Sequence, residues 1–221
     1  MATKIGLKLI IAVGVITVLI IGAFSYFSIS AQTDALISQA GIHANQLSEA
    51  IKNSTLTSML ENKREEVHAI INTVSHDSSI AEIRVLNKDG VVMFSSRSDL
   101  IGKLVDKRAE SCYACHTENA PLQRLPIDER MRVYRISPDS PRILAVINPI
   151  YNEPSCYQAA CHAHTKDQIV LGVLDIKMDL KNVDQQIEDN KFRLIVFAVI
   201  AILALSVFIA YFVRKWIGKP V

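Results

Sequence analysis

The sequence predicts an α+β protein: a long N-terminal helix leading into a small antiparallel sheet, with a transmembrane helix on either side. Three observations carry that expectation. Apolar runs without charge stand near both ends of the 221-residue chain, the stretch after the first run keeps helical spacing, and the middle alternates apolar and polar residues between turn signals. The hydrophobic fraction of 50% is high for a soluble domain, and its excess lies at the two ends. A net charge of +2 and the lack of a basic patch with interleaved aromatics argue against a nucleic-acid surface.

Residues 1–8 carry Lys4 and Lys8 and precede Leu9–Ile29, an apolar run of 21 residues, long enough to cross a bilayer as a helix. Positive charge at its start places that start in the cytoplasm. A cleaved signal peptide is the alternative, since Ser28 and Ser30 are small residues before Ala31. The run exceeds the usual 7–15 residues of a signal h-region, which favours a retained anchor. Leu194–Val213 is a second run, 20 residues without charge, followed by Arg214, Lys215 and Lys219. The predicted organisation is therefore a membrane helix over 9–29, a periplasmic domain over 30–192, a second membrane helix over 193–213 and a cytoplasmic segment over 214–221. The expected location is the bacterial inner membrane, crossed twice.

From Gln32 to about Ser79 there is no proline and one glycine, Gly41. Leu36, Ala40, Ala44, Leu47 and Ile51, then Val67, Ile70, Ile71 and Val74, recur at helical spacing. One long helix is expected, or two with a break near Gly41 or Asn53–Thr57. Five strands follow: Ala81–Leu86, Val91–Ser95 across an Asn87–Gly90 turn, Met131–Ile136, Arg142–Ile147 and Ile169–Ile176.

All four cysteines fall in two motifs, CYACH at Cys112–His116 and CYQAACH at Cys156–His162. Two thiols followed at once by an imidazole form the attachment pattern of haem c, in which both sulfurs join the porphyrin vinyl groups and the histidine reaches the iron. Two haems are predicted, one on Cys112, Cys115 and His116, the other on Cys156, Cys161 and His162. In the second motif four residues separate the cysteines, so that loop must bulge. A structural zinc and a pair of disulfides are the competing readings, and neither needs a histidine directly after each pair.

The pieces IRVLNKDGVVMFSS, then Ile101 and Gly102, and VLGVLDIKMDL resemble the extracytoplasmic PAS-like, Cache-type sensor domains of bacterial receptors. The wider second motif is similar to the attachment sites of some multihaem cytochromes, and RKWIGKPV is similar to the opening of a HAMP linker. The resemblance implies that both motifs lie in connections bordering a ligand pocket, that the receptor is a homodimer, and that a cytoplasmic transmitter follows. His68 and His76, eight residues apart on one expected helix, are the preferred distal iron ligands, with His164 and Met131 as further candidates and His43 as a lesser one. Arg124, Arg130, Arg132 and Arg135 are candidate propionate partners or a solvated surface. No nucleophile elbow, zinc-protease motif or phosphate loop is present, so no enzyme is expected within the chain. The expected function is a membrane sensor of redox state or a small gaseous ligand. The alternative is a membrane-anchored dihaem cytochrome that hands electrons to a periplasmic redox partner, a reading that gains if the natural chain ends at Val221.

Overall fold

A computed structural model describes residues 2–105, 126–158 and 164–216. The first cysteine motif lies outside the described residues, as do Cys161 and His162 of the second. The chain divides into two compact units, Met1–Ile37 with Val183–Val221, and Ser38–Asn182.

The first unit is helical. Helix α1, Ala2–Leu60, contributes its first part, and the C-terminal helix, Lys181–Trp216, contributes most of its length. Ile29, Gln32, Thr33 and Leu36 face Ile187, Asn190 and Lys191 across a narrow crevice. Both helices are long and apolar enough to cross a membrane. Large side chains such as Phe24, Tyr26, Phe197 and Val207 are about 70% exposed, which suits helices whose surroundings are lipid rather than protein.

The second unit holds the sheet. Helix α1 runs unbroken for 59 residues, so neither Gly41 nor Asn53–Thr57, the alternative break points, interrupts it. Gly41 is tolerated because the Met131 side chain packs where a Cβ would stand, and Thr55 returns its hydroxyl to Ile51 O at 2.8 Å, which keeps a polar residue satisfied inside the helix. The break comes at residues 61–63. There Asn62 adopts a left-handed φ of 56°, and the Glu61 and Lys63 amides donate back to Thr57 and Ser58 carbonyls, a capping pattern that stops the helix. Helix α2, Arg64–Val74, follows, tied to α1 by the Ser58 hydroxyl donating to Glu66 Oε2 at 2.9 Å.

The strands are β1 Ile80–Asn87, β2 Val92–Ser95, β3 Met131–Tyr134, β4 Ile143–Tyr151 and β5 Val170–Asp179. They form one antiparallel sheet in the order β2-β1-β5-β4-β3. Two short helices intervene, α3 at Ile127–Arg130 and α4 at Pro154–Tyr157, so the C-terminal helix is α5. The predicted α+β class is thus the observed one. β4 runs past the expected Ile147 to Tyr151 and includes Pro149. Its partner β3 reaches only to Val146, leaving Pro149 on an open edge where no amide is required.

Side chains alternate between two faces. Ile83, Val85, Leu144, Val146, Leu174, Ile176 and Met178 lie on the helix side, facing the buried line of α1: Gly41, Ala44, Ser48, Ile51, Thr55 and Ser58. That line is mostly small. Within the sheet Gly172 has to be small, since a Cβ there would overlap the Leu86 carbonyl of β1.

Gly172→Ala is expected to cost about 2 kcal/mol, because the clash is with backbone. Gly41→Ala is expected to be restored by Met131→Ala, because that clash is with a flexible side chain. Denaturant unfolding of the full chain in detergent measures both; a Gly172→Ala protein as stable as wild type would contradict the β1–β5 register.

Candidate functional site

Both cysteine-bearing segments leave and rejoin the same end of the sheet. The tip of the β1–β2 hairpin is fixed by Asn87, whose Oδ1 accepts the Asp89 and Val91 amides, and by Gly90 at φ 85°. The Val105 amide donates to Gly90 O at 2.9 Å, so the chain sets out toward the first motif from that tip. It re-enters at α3 and β3, where Arg130 Nη1 donates to Ile147 O at 3.2 Å. β1 ends with Asn87 opposite Gly172, and β4 ends with Tyr151 opposite Val170, which brings the second segment to the hairpin tip's end of the sheet.

The second segment hangs from a neck built on Asn152. Its amide N–H donates to Ile169 O at 2.9 Å, and its Nδ2 donates to Thr165 O at 3.0 Å and Gln168 O at 2.7 Å. Cys156 follows on α4, which starts with Pro154 at a position needing no amide donor. It is buried and is a free thiol. Its partners in the motif, Cys161 and His162, lie outside the described residues. His164 is half-buried beside the neck.

The other candidate ligands are spread out. His68 packs edge-on against Phe94 of β2, ring centroids 5.0 Å apart. Met131 packs on Gly41 from β3. β2 and β3 are opposite edges of the sheet, roughly 19 Å apart at strand spacing. His76 does not share the helix of His68, because α2 ends at Val74. It sits exposed in the turn before β1, its Nδ1 2.6 Å from Asn72 O, at the sheet end remote from the cysteine segments. Of the four, His164 lies beside the neck of the second cysteine segment and Met131 where the chain re-enters after the first. Among the described residues no three His, Cys, Asp or Glu side chains gather as a metal site. Arg135 donates to Ser140 O on the surface, and Arg124 lies outside the described residues.

The face of the sheet turned away from the helices carries a buried charged layer. Asp175 on β5 is fully buried and accepts Arg84 Nε at 2.9 Å and Nη2 at 2.8 Å from β1, with Arg132 Nη2 of β3 at 3.4 Å. Glu82 lies 3.4 Å from Arg84 and 3.3 Å from Lys177. Ala145, in register between Arg132 and Lys177, leaves room for the Arg132 side chain to cross β4. These five residues were legible only as the polar half of an alternating pattern, which reads equally as a solvated face.

On the helix side, Asn148 Nδ2 donates to Glu49 Oε1 at 2.7 Å, and Lys52 lies 2.6 Å from Glu49 Oε2. Burial pushes the Glu49 carboxyl up, but hydrogen bonds from Lys52 and Asn148 and the charges of Lys52 and Arg130 outweigh it and hold it below the ordinary carboxylate range.

At the far end of the sheet β5 passes into α5. The Asp179 amide donates to Ser79 O and the Leu180 amide to Arg142 O, at 2.8 and 2.9 Å, while Asp179 Oδ1 accepts the Lys181 amide at 2.7 Å. Asp77 accepts both the amide and the hydroxyl of Ser79, which keeps its carboxyl low.

No family model and no curated protein matches the chain. Among solved structures it is similar to the Escherichia coli DcuS sensor domain, at 18% identity and TM-score 0.41 over 72% of this chain and 98% of that one. It is also similar to the Vibrio cholerae histidine kinase DctB sensor domain, at 14% identity and TM-score 0.45 over 74% of this chain and 57% of that one. The ligand-binding domain of Campylobacter jejuni chemoreceptor Tlp3, in complex with 4-methylisoleucine, aligns at 17% identity and TM-score 0.38 over 72% and 61%. None of these scores reaches 0.5, so the functional reading rests on this chain's own residues.

Asp175→Asn is expected to cost roughly 3–5 kcal/mol, since it removes the buried negative charge that Arg84 and Arg132 share; a loss below 1 kcal/mol in chemical denaturation would show the layer to be solvated. Glu49 has a folded pKa below its unfolded one, so its contribution is present above about pH 4.3 and disappears as pH falls through the folded value. Glu49→Gln is therefore expected to flatten the acid limb of a stability–pH profile while lowering stability at pH 7.

Proposed function

We propose that this chain is the sensor part of a two-pass membrane receptor. Its domain outside the cytoplasm carries two covalent c-type haems, on Cys112, Cys115 and His116 and on Cys156, Cys161 and His162. The observation that carries the reading is that the flanks of both cysteine-histidine motifs meet one end of one sheet, whose central strand continues directly into the second apolar helix. When bound, the haems would supply an iron whose charge and exchangeable ligand report redox state or a small diatomic molecule.

The chain's own residues supply the rest. The Asn152 neck fixes where the second motif begins and ends. Six residues after its last described neighbour, His164, the chain enters β5, and any shift of the neck acts on that strand. β5 is locked in register by β1, by β4 and by the Arg84–Asp175 pair, so a shift at the neck reaches its far end as a movement of the sheet with it. Asp179 hands that motion to the first amide of α5. The bistable element of this reading is the β5–α5 junction, biased by whichever loop conformation the iron's state favours. The chain itself performs no catalysis, acts as a homodimer, and passes its signal to a cytoplasmic transmitter.

Expression of the full chain with an intact c-type maturation system, followed by a pyridine haemochrome assay, tests the cofactor. Two haems per chain are expected, falling to one on Cys112→Ala with Cys115→Ala and to one on Cys156→Ala with Cys161→Ala. A colourless wild-type protein would overturn the reading, and zinc found in its place would favour a structural metal.

A further inference from the structure

Between α1 and the start of β3, three buried polar atoms have no hydrogen-bond partner among the described residues: Asn45 Oδ1, Ser48 Oγ and Arg130 Nε. Contacts around them trace one seam. Met131 packs on Gly41, one helical turn before Asn45, and Arg130 Nη1 lies 3.4 Å from the Asn148 Oδ1 whose amide nitrogen holds Glu49, one turn after Asn45. Residues 41–49 of α1 therefore lie along residues 130–131, and Ser48 between them is fully buried.

The three atoms make a complementary set. The guanidinium Nε–H only donates, the amide oxygen only accepts, and the hydroxyl does either. An unpaired buried donor or acceptor costs about 1–3 kcal/mol, and three in one seam would consume much of the roughly 5–15 kcal/mol that holds a domain folded. We propose that this seam is a binding site for ordered water. The water accepts from Arg130 Nε and Ser48 Oγ and donates to Asn45 Oδ1, within the two to four partners that buried water takes. An anion that only accepts would leave Asn45 Oδ1, itself an acceptor, without a donor, and an apolar group would leave all three atoms unpaired. Solvent, rather than a direct side-chain bond, then joins helix α1 to the point where the chain re-enters after its first cysteine pair.

The sign of one substitution tests the site. In a dry seam Ser48→Ala deletes an orphaned hydroxyl and raises stability; in a wet one it removes a partner from a bound water and lowers it. Ser54→Ala, at an exposed position on the same helix, supplies the correction for alanine's higher helix propensity. With the full chain in nanodiscs, Ser48→Ala is expected to melt about 2–4 °C below Ser54→Ala, and a crystal structure is expected to show water within hydrogen-bond distance of at least two of the three atoms. A Ser48→Ala protein that melts at or above Ser54→Ala, or an empty seam in the crystal, would overturn the assignment. Haem content is untouched by either variant, so the result is separable from the cofactor reading.

Discussion

A carboxylate with no access to water, Asp175, sits in the middle strand of the sheet and is held by guanidinium groups from strands on either side of it. Everything on that face follows from the need to keep it paired. Arg84 must come from the neighbouring strand at the matching register, Ala145 must be small enough for Arg132 to cross, and Lys177 must balance Glu82. A buried network of this kind is weak evidence for net stability, because desolvation offsets much of the Coulomb attraction. Breaking one member is costly all the same, which makes register the property it enforces.

The opposite face is organised by apolar burial rather than charge. A buried line of mostly small residues on α1 faces Leu144, Val146, Leu174 and Ile176, and a polar flank of Glu49, Asn148 and Arg130 closes one side. The sheet is thus buried on both faces: mainly apolar side chains face the helices, and away from them lies a charged layer that includes the buried Ile147, in register with Asp175. β5 carries both surfaces, and it alone links the cysteine end of the sheet to the C-terminal apolar helix through continuous chain.

Much of this was readable in advance. The five strands stood out because alternation survives wherever a strand has unlike faces, and the Asn87–Gly90 turn announced itself through Asn and Gly. The alternative helix breaks were misplaced because glycine and threonine carry low propensity in isolation, whereas Gly41 is held by Met131 and Thr55 by its own backbone. His68 and His76 were paired on the assumption of one helix, and the Ser75–Ser79 turn separates them. The charged layer was invisible, because Glu82, Arg84, Asp175 and Lys177 follow the same period as solvent-facing residues do.

Local chemistry, then, was the province of the sequence: two apolar runs long enough for a bilayer, alternation that makes strands, and thiol pairs each followed by an imidazole. Those signals depend on neighbours within a few residues, so they survive without a fold. What lies across the sheet from what was decided only in three dimensions. Asp175 meets Arg84 across 91 positions and Glu49 meets Asn148 across 99, and the two cysteine segments reach one end of the sheet only because β1, β4 and β5 pair as they do. Contacts at such separations depend on strand order and register, which no local pattern encodes.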